Sequence, residues 1–241
     1  MSSTQKWRIL CVLTSCLCLP WACVEESPVL LSIPVIFQPL EQTPLLLADG
    51  SSLELQEARL TLADLRLERP VENQALRWNP LQPALALAHP GHEFSGNVAG
   101  ELLGTYTLDL LGEPTTLGQA QLYTGQFATA QLHLPGETQG PILTLVGVRE
   151  YEGKSLPVTL ALSLEYEVHG IPFEQEILPD SQAAHLKLEL DLAHMLSFLD
   201  WSAGDENQDG VLTLDDPSVY NPLVFGVSAT PSYRITWSIG E

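Results

Sequence analysis

At 241 residues, 45% of them hydrophobic and 17% charged, the chain can bury one full core, which excludes a disordered polymer. Its 30 acidic residues against 10 basic ones give a net charge of −20. Such a surface repels nucleic acid and anionic lipid, excludes a nucleic-acid partner, and suits cations or plain solubility.

In chain order, Lys6 and Arg8 precede the apolar run Ile9 to Leu19, which is too short to span a bilayer and has the form of a signal peptide. Both leader charges are positive, so its removal takes the exported part from −20 to −22. All four cysteines, Cys11, Cys16, Cys18 and Cys23, fall in this segment. That placement argues against a disulfide framework or a cysteine zinc site and assigns them to processing. Leu13-Thr14-Ser15-Cys16 is similar to the bacterial lipobox, while Cys23 after Ala22 gives a leader of more usual length. Residues 1–23 are thus expected to be a lipoprotein-type signal peptide cleaved at Cys16 or Cys23. The resemblance implies a lipid-anchored protein of the bacterial cell envelope, at the outer membrane or in the periplasm, with the membrane as one partner.

Residues 24–49 carry Pro28, Pro34, Pro39 and Pro44. Proline removes ladder donors, so this stretch is expected to be a tether or an edge strand. From residue 50 to 241 one domain is expected. Its short runs alternate apolar and polar residues, as in Tyr106 to Leu110, Ala130 to Leu134 and His185 to Leu190, and Gly and Pro separate them. The pattern predicts an all-β, antiparallel sandwich of roughly 8–10 strands. Turns are placed at Leu111 to Pro114, Thr124-Gly125, Leu134 to Gly136 and His169-Gly170. One short helix is predicted over Leu192 to Leu199, where Leu192, Met195, Leu196 and Leu199 share a face.

Two local constellations carry chemistry. The first runs from Asp205 to Asp216. Calcium takes hard oxygen ligands, and the EF-hand loop supplies them at its first, third, fifth, seventh, ninth and twelfth positions, with glycine at the sixth. Asp205, Asn207, Asp209, the Val211 carbonyl, Thr213 and Asp216 occupy those positions, and Gly210 stands at the turn. Asp216 replaces the usual glutamate and Pro217 follows it, so the loop resembles single dockerin-like or extracellular calcium loops rather than paired sensors. The resemblance implies a structural calcium ion.

The second constellation is His89-Pro90-Gly91-His92-Glu93, where His89, His92 and Glu93 surround a turn and suit copper or zinc. Residues 50–179 resemble, in pattern only, bacterial lipoprotein β-domains with a His-Pro-Gly-His turn, a likeness that implies no activity. No nucleophile elbow, phosphate loop or exported free nucleophilic cysteine is present. The expectation is therefore no enzyme but a lipid-anchored binding or surface-assembly module with structural calcium and a protein partner of unknown identity. The alternative is a periplasmic or surface protein that binds copper or zinc through the histidine turn.

Overall fold

The computed structural model describes residues 28–41, 43–70, 97–136, 140–203 and 205–239. Thirteen strands are present among these residues: β1 (Leu30–Gln38), β2 (Leu45–Leu46), β3 (Ser52–Leu62), β4 (Leu65–Glu68), β5 (Val98–Leu102), β6 (Tyr106–Asp109), β7 (Thr115–Tyr123), β8 (Gly125–Leu134), β9 (Leu143–Tyr151), β10 (Lys154–Leu162), β11 (Tyr166–Ile177), β12 (Ala184–Leu190) and β13 (Tyr233–Ile239). Two short helices, α1 (Leu192–Leu196) and α2 (Tyr220–Ser228), lie between β12 and β13.

An eight-stranded sheet runs β11-β8-β4-β5-β7-β1-β12-β13, and a smaller one runs β10-β9-β3-β2 with β6 also on β3. Their inward residues, Ile33 and Leu122 from the first and Leu60, Leu145 and Leu160 from the second, join one buried core. The all-β expectation holds, with thirteen strands among the described residues where roughly 8–10 were expected.

Residues 30–38 are not at an edge. β1 pairs antiparallel with β7 and, alone among the strand pairs, parallel with β12. Leu31, Ile33, Val35 and Phe37 point inward and are buried. Their apolar burial outweighs the proline, because Pro34 stands just before the β12 pairing starts at Val35 and so falls outside that ladder. His169-Gly170 is likewise no turn between strands. It lies inside β11, where the register with β8 shifts between Val168 and Ile171, a bulge that accommodates the glycine.

The predicted helix shrinks to Leu192–Leu196. The Asp191 carboxylate accepts the His194 N–H at 2.8 Å at its start, and the Ser197 hydroxyl donates to the His194 carbonyl at its end. The sequence Tyr-Asn-Pro-Leu-Val-Phe-Gly-Val-Ser of α2 carries no ordinary helix signal. Pro222 falls in the first turn, where no intrahelical donor is lost. The helix is held by burial of Leu223, Gly226 and Val227 along one face. Tyr233 fastens its end to β13 by donating to the Val227 carbonyl at 2.7 Å. Burial pushes the Tyr233 phenol far above its usual range, so it remains a neutral donor.

The ladder directions define two ends of the large sheet. One carries the starts of β1, β8 and β12 and the finishes of β7, β11 and β13. The other carries α1, the approach to β13 and the far ends of the same strands. No helix among the described residues is long and apolar enough to cross a membrane.

Candidate metal centre

The loop after α1 is built from backbone turns closed by its own side chains. Asp209 N–H is shared by Asp205 Oδ1 at 3.2 Å and Asn207 Oδ1 at 3.0 Å. Gly210 N–H donates to Asp205 Oδ2 at 2.7 Å, and Val211 N–H to Asp209 Oδ1 at 2.9 Å. These bonds bring the side-chain oxygens of Asp205 and Asn207 together at the Asp209 N–H and turn that of Asp209 to the Val211 N–H. Gly210 holds φ +88°, a left-handed conformation in which a side chain would be strained.

Asp216 closes the loop from within. It is fully buried, and its Oδ1 accepts from Glu206 N–H at 3.1 Å and Asn207 N–H at 3.2 Å. Its Oδ2 accepts from Thr213 N–H at 2.8 Å. Thr213 Oγ1 in turn accepts from Asp215 N–H at 3.2 Å, a reciprocal cap that starts the turns leading into α2. An ionised carboxylate has about four lone-pair sites, and three are used here. Asp216 can therefore offer a cation one position on Oδ2, not a bidentate grip.

The loop is also fixed to the small sheet. Leu212 is buried and bridges in parallel to Val158 of β10. It donates to the Pro157 carbonyl at 2.8 Å and accepts from Thr159 N–H at 2.9 Å. β10 is the outer strand of that sheet, so the loop covers a free edge as well as forming a turn.

Before the loop, buried Trp201 donates Nε1–H to the Leu196 carbonyl at 3.0 Å. Its ring lies under the Arg149 guanidinium at 5.8 Å, with Tyr151 at 5.3 Å. Arg149 is itself buried and pairs with Asp49 at 2.5 Å and with the Ser51 hydroxyl at 3.0 Å. Sequence reasoning passed over this cluster. Its signal is a charged residue at an inward position of β9, in phase with Leu143, Leu145 and Gly147.

Burial alone would raise the Asp49 carboxyl. Hydrogen bonds from the Ser51 hydroxyl and N–H, together with Arg149, outweigh it and hold the group below its ordinary 3.8. The stability this adds is complete above the unfolded value of 3.8 and is lost as the pH falls through the lower folded value. Arg149→Met is expected to cost about 2 kcal/mol, a figure reduced for the partial exposure of Asp49. In urea unfolding, R149M should flatten the acid-side slope below about pH 4 as well as lower the midpoint. An unchanged slope would show that Asp49 draws nothing from the pair.

His89, His92 and Glu93 lie outside the described residues, as do Cys16 and Cys23. The chain leaves β4 and re-enters at β5 with Arg69 N–H bonded to the Asn97 carbonyl at 2.9 Å, so both attachments of the histidine segment stand side by side. His169 is exposed beside Glu167, and His194 packs edge-on to Phe198. No group of three or more His, Cys, Asp or Glu is placed to hold a metal among the described residues. Asp205, Asp209 and Asp216 of the loop do not form such a group, so an ion there would also need the neutral oxygens of Asn207 and Val211.

A cleft of about 390 Å³ near α1 is lined by Gln38, Leu40, Glu189, Asp191 and Arg234. Among the described residues, three of its four charged side chains, Glu189, Asp191 and Arg234 but not Glu41, have partners. Asp191 caps α1, and Glu189 pairs with Lys187 and Arg234.

No protein-family model and no curated protein matches the chain. Among solved structures it is similar to MbnP from Methylosinus trichosporium, at 11% identity and a TM-score of 0.40, over 88% of this chain and 99% of that one. A likeness at that level carries no argument about what this chain binds.

Proposed function

We propose that the protein is a non-enzymatic, lipid-anchored module of the bacterial cell envelope whose 205–216 loop holds one structural calcium ion. The observation that supports calcium is the meeting of Asp205 Oδ1 and Asn207 Oδ1 at the Asp209 N–H, with Asp209 Oδ1 on the Val211 N–H of the same turn, each oxygen keeping a free lone pair. The Val211 carbonyl, Thr213 directly or through water, and Asp216 Oδ2 would complete the set. Calcium there would neutralise clustered carboxylates and stiffen the crossing from α1 to α2. With a single position from Asp216, affinity belongs at about 10⁻⁴ to 10⁻³ M, the range of extracellular modules.

Calorimetry on the mature protein should give a calcium isotherm in that range, and saturating calcium at ten times Kd should add about 1.4 kcal/mol of stability. Asp209→Ala should remove both effects. Absence of heat and of any rise in Tm would end the calcium reading.

The sequence cluster His89, His92 and Glu93 favours a second reading, capture of copper or zinc. Retention of either metal at micromolar free concentration, abolished by His92→Ala and unaffected by Asp209→Ala, would establish it. The binding or assembly role itself requires a protein partner, which genomic neighbours of transport or secretion type would identify by class.

A further inference from the structure

The exposed aliphatic side chains are not evenly spread. Among the described residues six large aliphatic side chains are at least 40% exposed. Four of them, Val29, Leu30, Leu178 and Ile239, at 44%, 46%, 50% and 72%, stand at the end of the large sheet where β1 begins, with Leu46 and Leu103 elsewhere. Leu30 is opposite Tyr123 at the finish of β7, and Ile239 is opposite Ala184 at the start of β12. Leu178 is tied by its N–H to the Ser181 hydroxyl at 3.2 Å, just before β12. Because β1, β12 and β13 are neighbours, Leu30 and Ile239 stand two strand spacings apart, about 10 Å across the sheet, and Leu178 follows the finish of β11.

We propose that this end of the sandwich lies against the lipid bilayer, with these four side chains at the boundary between headgroups and acyl chains. The proposal rests on the acylation reading above. Chain length selects the occupant. Val29 follows Cys23 by six residues, a reach of at most about 20 Å, so an acyl chain on Cys23 keeps this tip near the membrane. Acylation at Cys16 lengthens the leash to about 45 Å and leaves the same end closest. The net negative charge of the exported part disfavours anionic lipid. Apolar contact with a zwitterionic surface, added to the anchor, is what this tip offers. The helices and the 205–216 loop then project from the far end, away from the membrane and open to a partner.

The test uses the full chain, processed in cells and reconstituted into phosphatidylcholine vesicles. Mass spectrometry first identifies the acylated cysteine, and any other cysteine left in the mature chain is replaced by serine. Single variants Leu178→Cys, Ile239→Cys and, at the opposite end, Phe225→Cys then carry an environment-sensitive fluorophore. Lipid-borne nitroxides should quench the first two several-fold more than the third. Equal quenching at all three positions in an acylated protein overturns the orientation and leaves the anchor intact. Absence of acyl mass on either cysteine removes both. Labels shielded from an aqueous quencher yet silent to lipid quenchers would mark a second copy of the chain as the occupant and overturn the proposal.

Discussion

Asp216→Ala is expected to lower the unfolding free energy by about 4 kcal/mol, because three N–H groups lose one fully buried charged acceptor at once. Glu206 and Asn207 donate from the entrance of the loop and Thr213 from its exit, so the carboxylate joins the two strands of chain across nine or ten residues. Ala leaves those donors without that acceptor. For a domain of this size the loss should appear as a fall in Tm on the order of 10 °C, with a matching shift in the urea midpoint. Asp216→Asn separates geometry from charge. One amide oxygen can still accept from two donors, while the amide nitrogen opposes the third, so about half the loss is expected. The calcium heat should vanish in both variants. A loss below about 1 kcal/mol in D216A would show that water reaches those N–H groups and that the loop is not closed by this residue.

The same carboxylate shows what the sequence could disclose. Spacing alone put Asp216 at the twelfth position of a cation loop, and the structure does join it to that loop. Spacing could not show that three N–H groups engage it, because those bonds depend on how the turn from Thr213 to Val219 folds. Alternation of apolar and polar residues was enough to place β6, β8 and β12, since each buries one face. It failed at β1, whose prolines suggested a tether. Both neighbours of that strand, β7 and β12, lie roughly 80 and 150 residues away, and no local pattern announces pairing at such separations. It failed again at α2, which tertiary burial holds against poor propensity. Arg149 was hidden for a related reason. A cation inside a β run is an outlier until Asp49, Ser51 and Trp201 arrive from other parts of the chain to satisfy it.

Gly226→Ala is the second large loss expected, about 3 kcal/mol, and it tests the packing that frames the candidate centre. A Cβ at this position would lie 1.9 Å from the Met195 carbonyl oxygen and 2.8 Å from its carbon. Both are backbone atoms of α1, so no rotamer change relieves the clash and the two helices must separate. Separation has further costs nearby, because the Gly226 carbonyl accepts the Ser232 hydroxyl at 2.7 Å where the chain turns into β13. Gly153→Ala is the control: its φ of +76° is left-handed, unlike that of the helical Gly226, but nothing lies within 4 Å, so only backbone strain of about 1 kcal/mol is expected. The loop from Asp205 to Asp216 is strung between the two helices, with α1 fixing its approach through Trp201 and α2 its departure. Moving α2 should therefore weaken calcium binding in G226A although no ligand is altered, and G153A should bind as the parent does. Calorimetry on the two variants decides this. If G226A keeps full calcium affinity while losing stability, the loop is held by β10 and Asp216 alone.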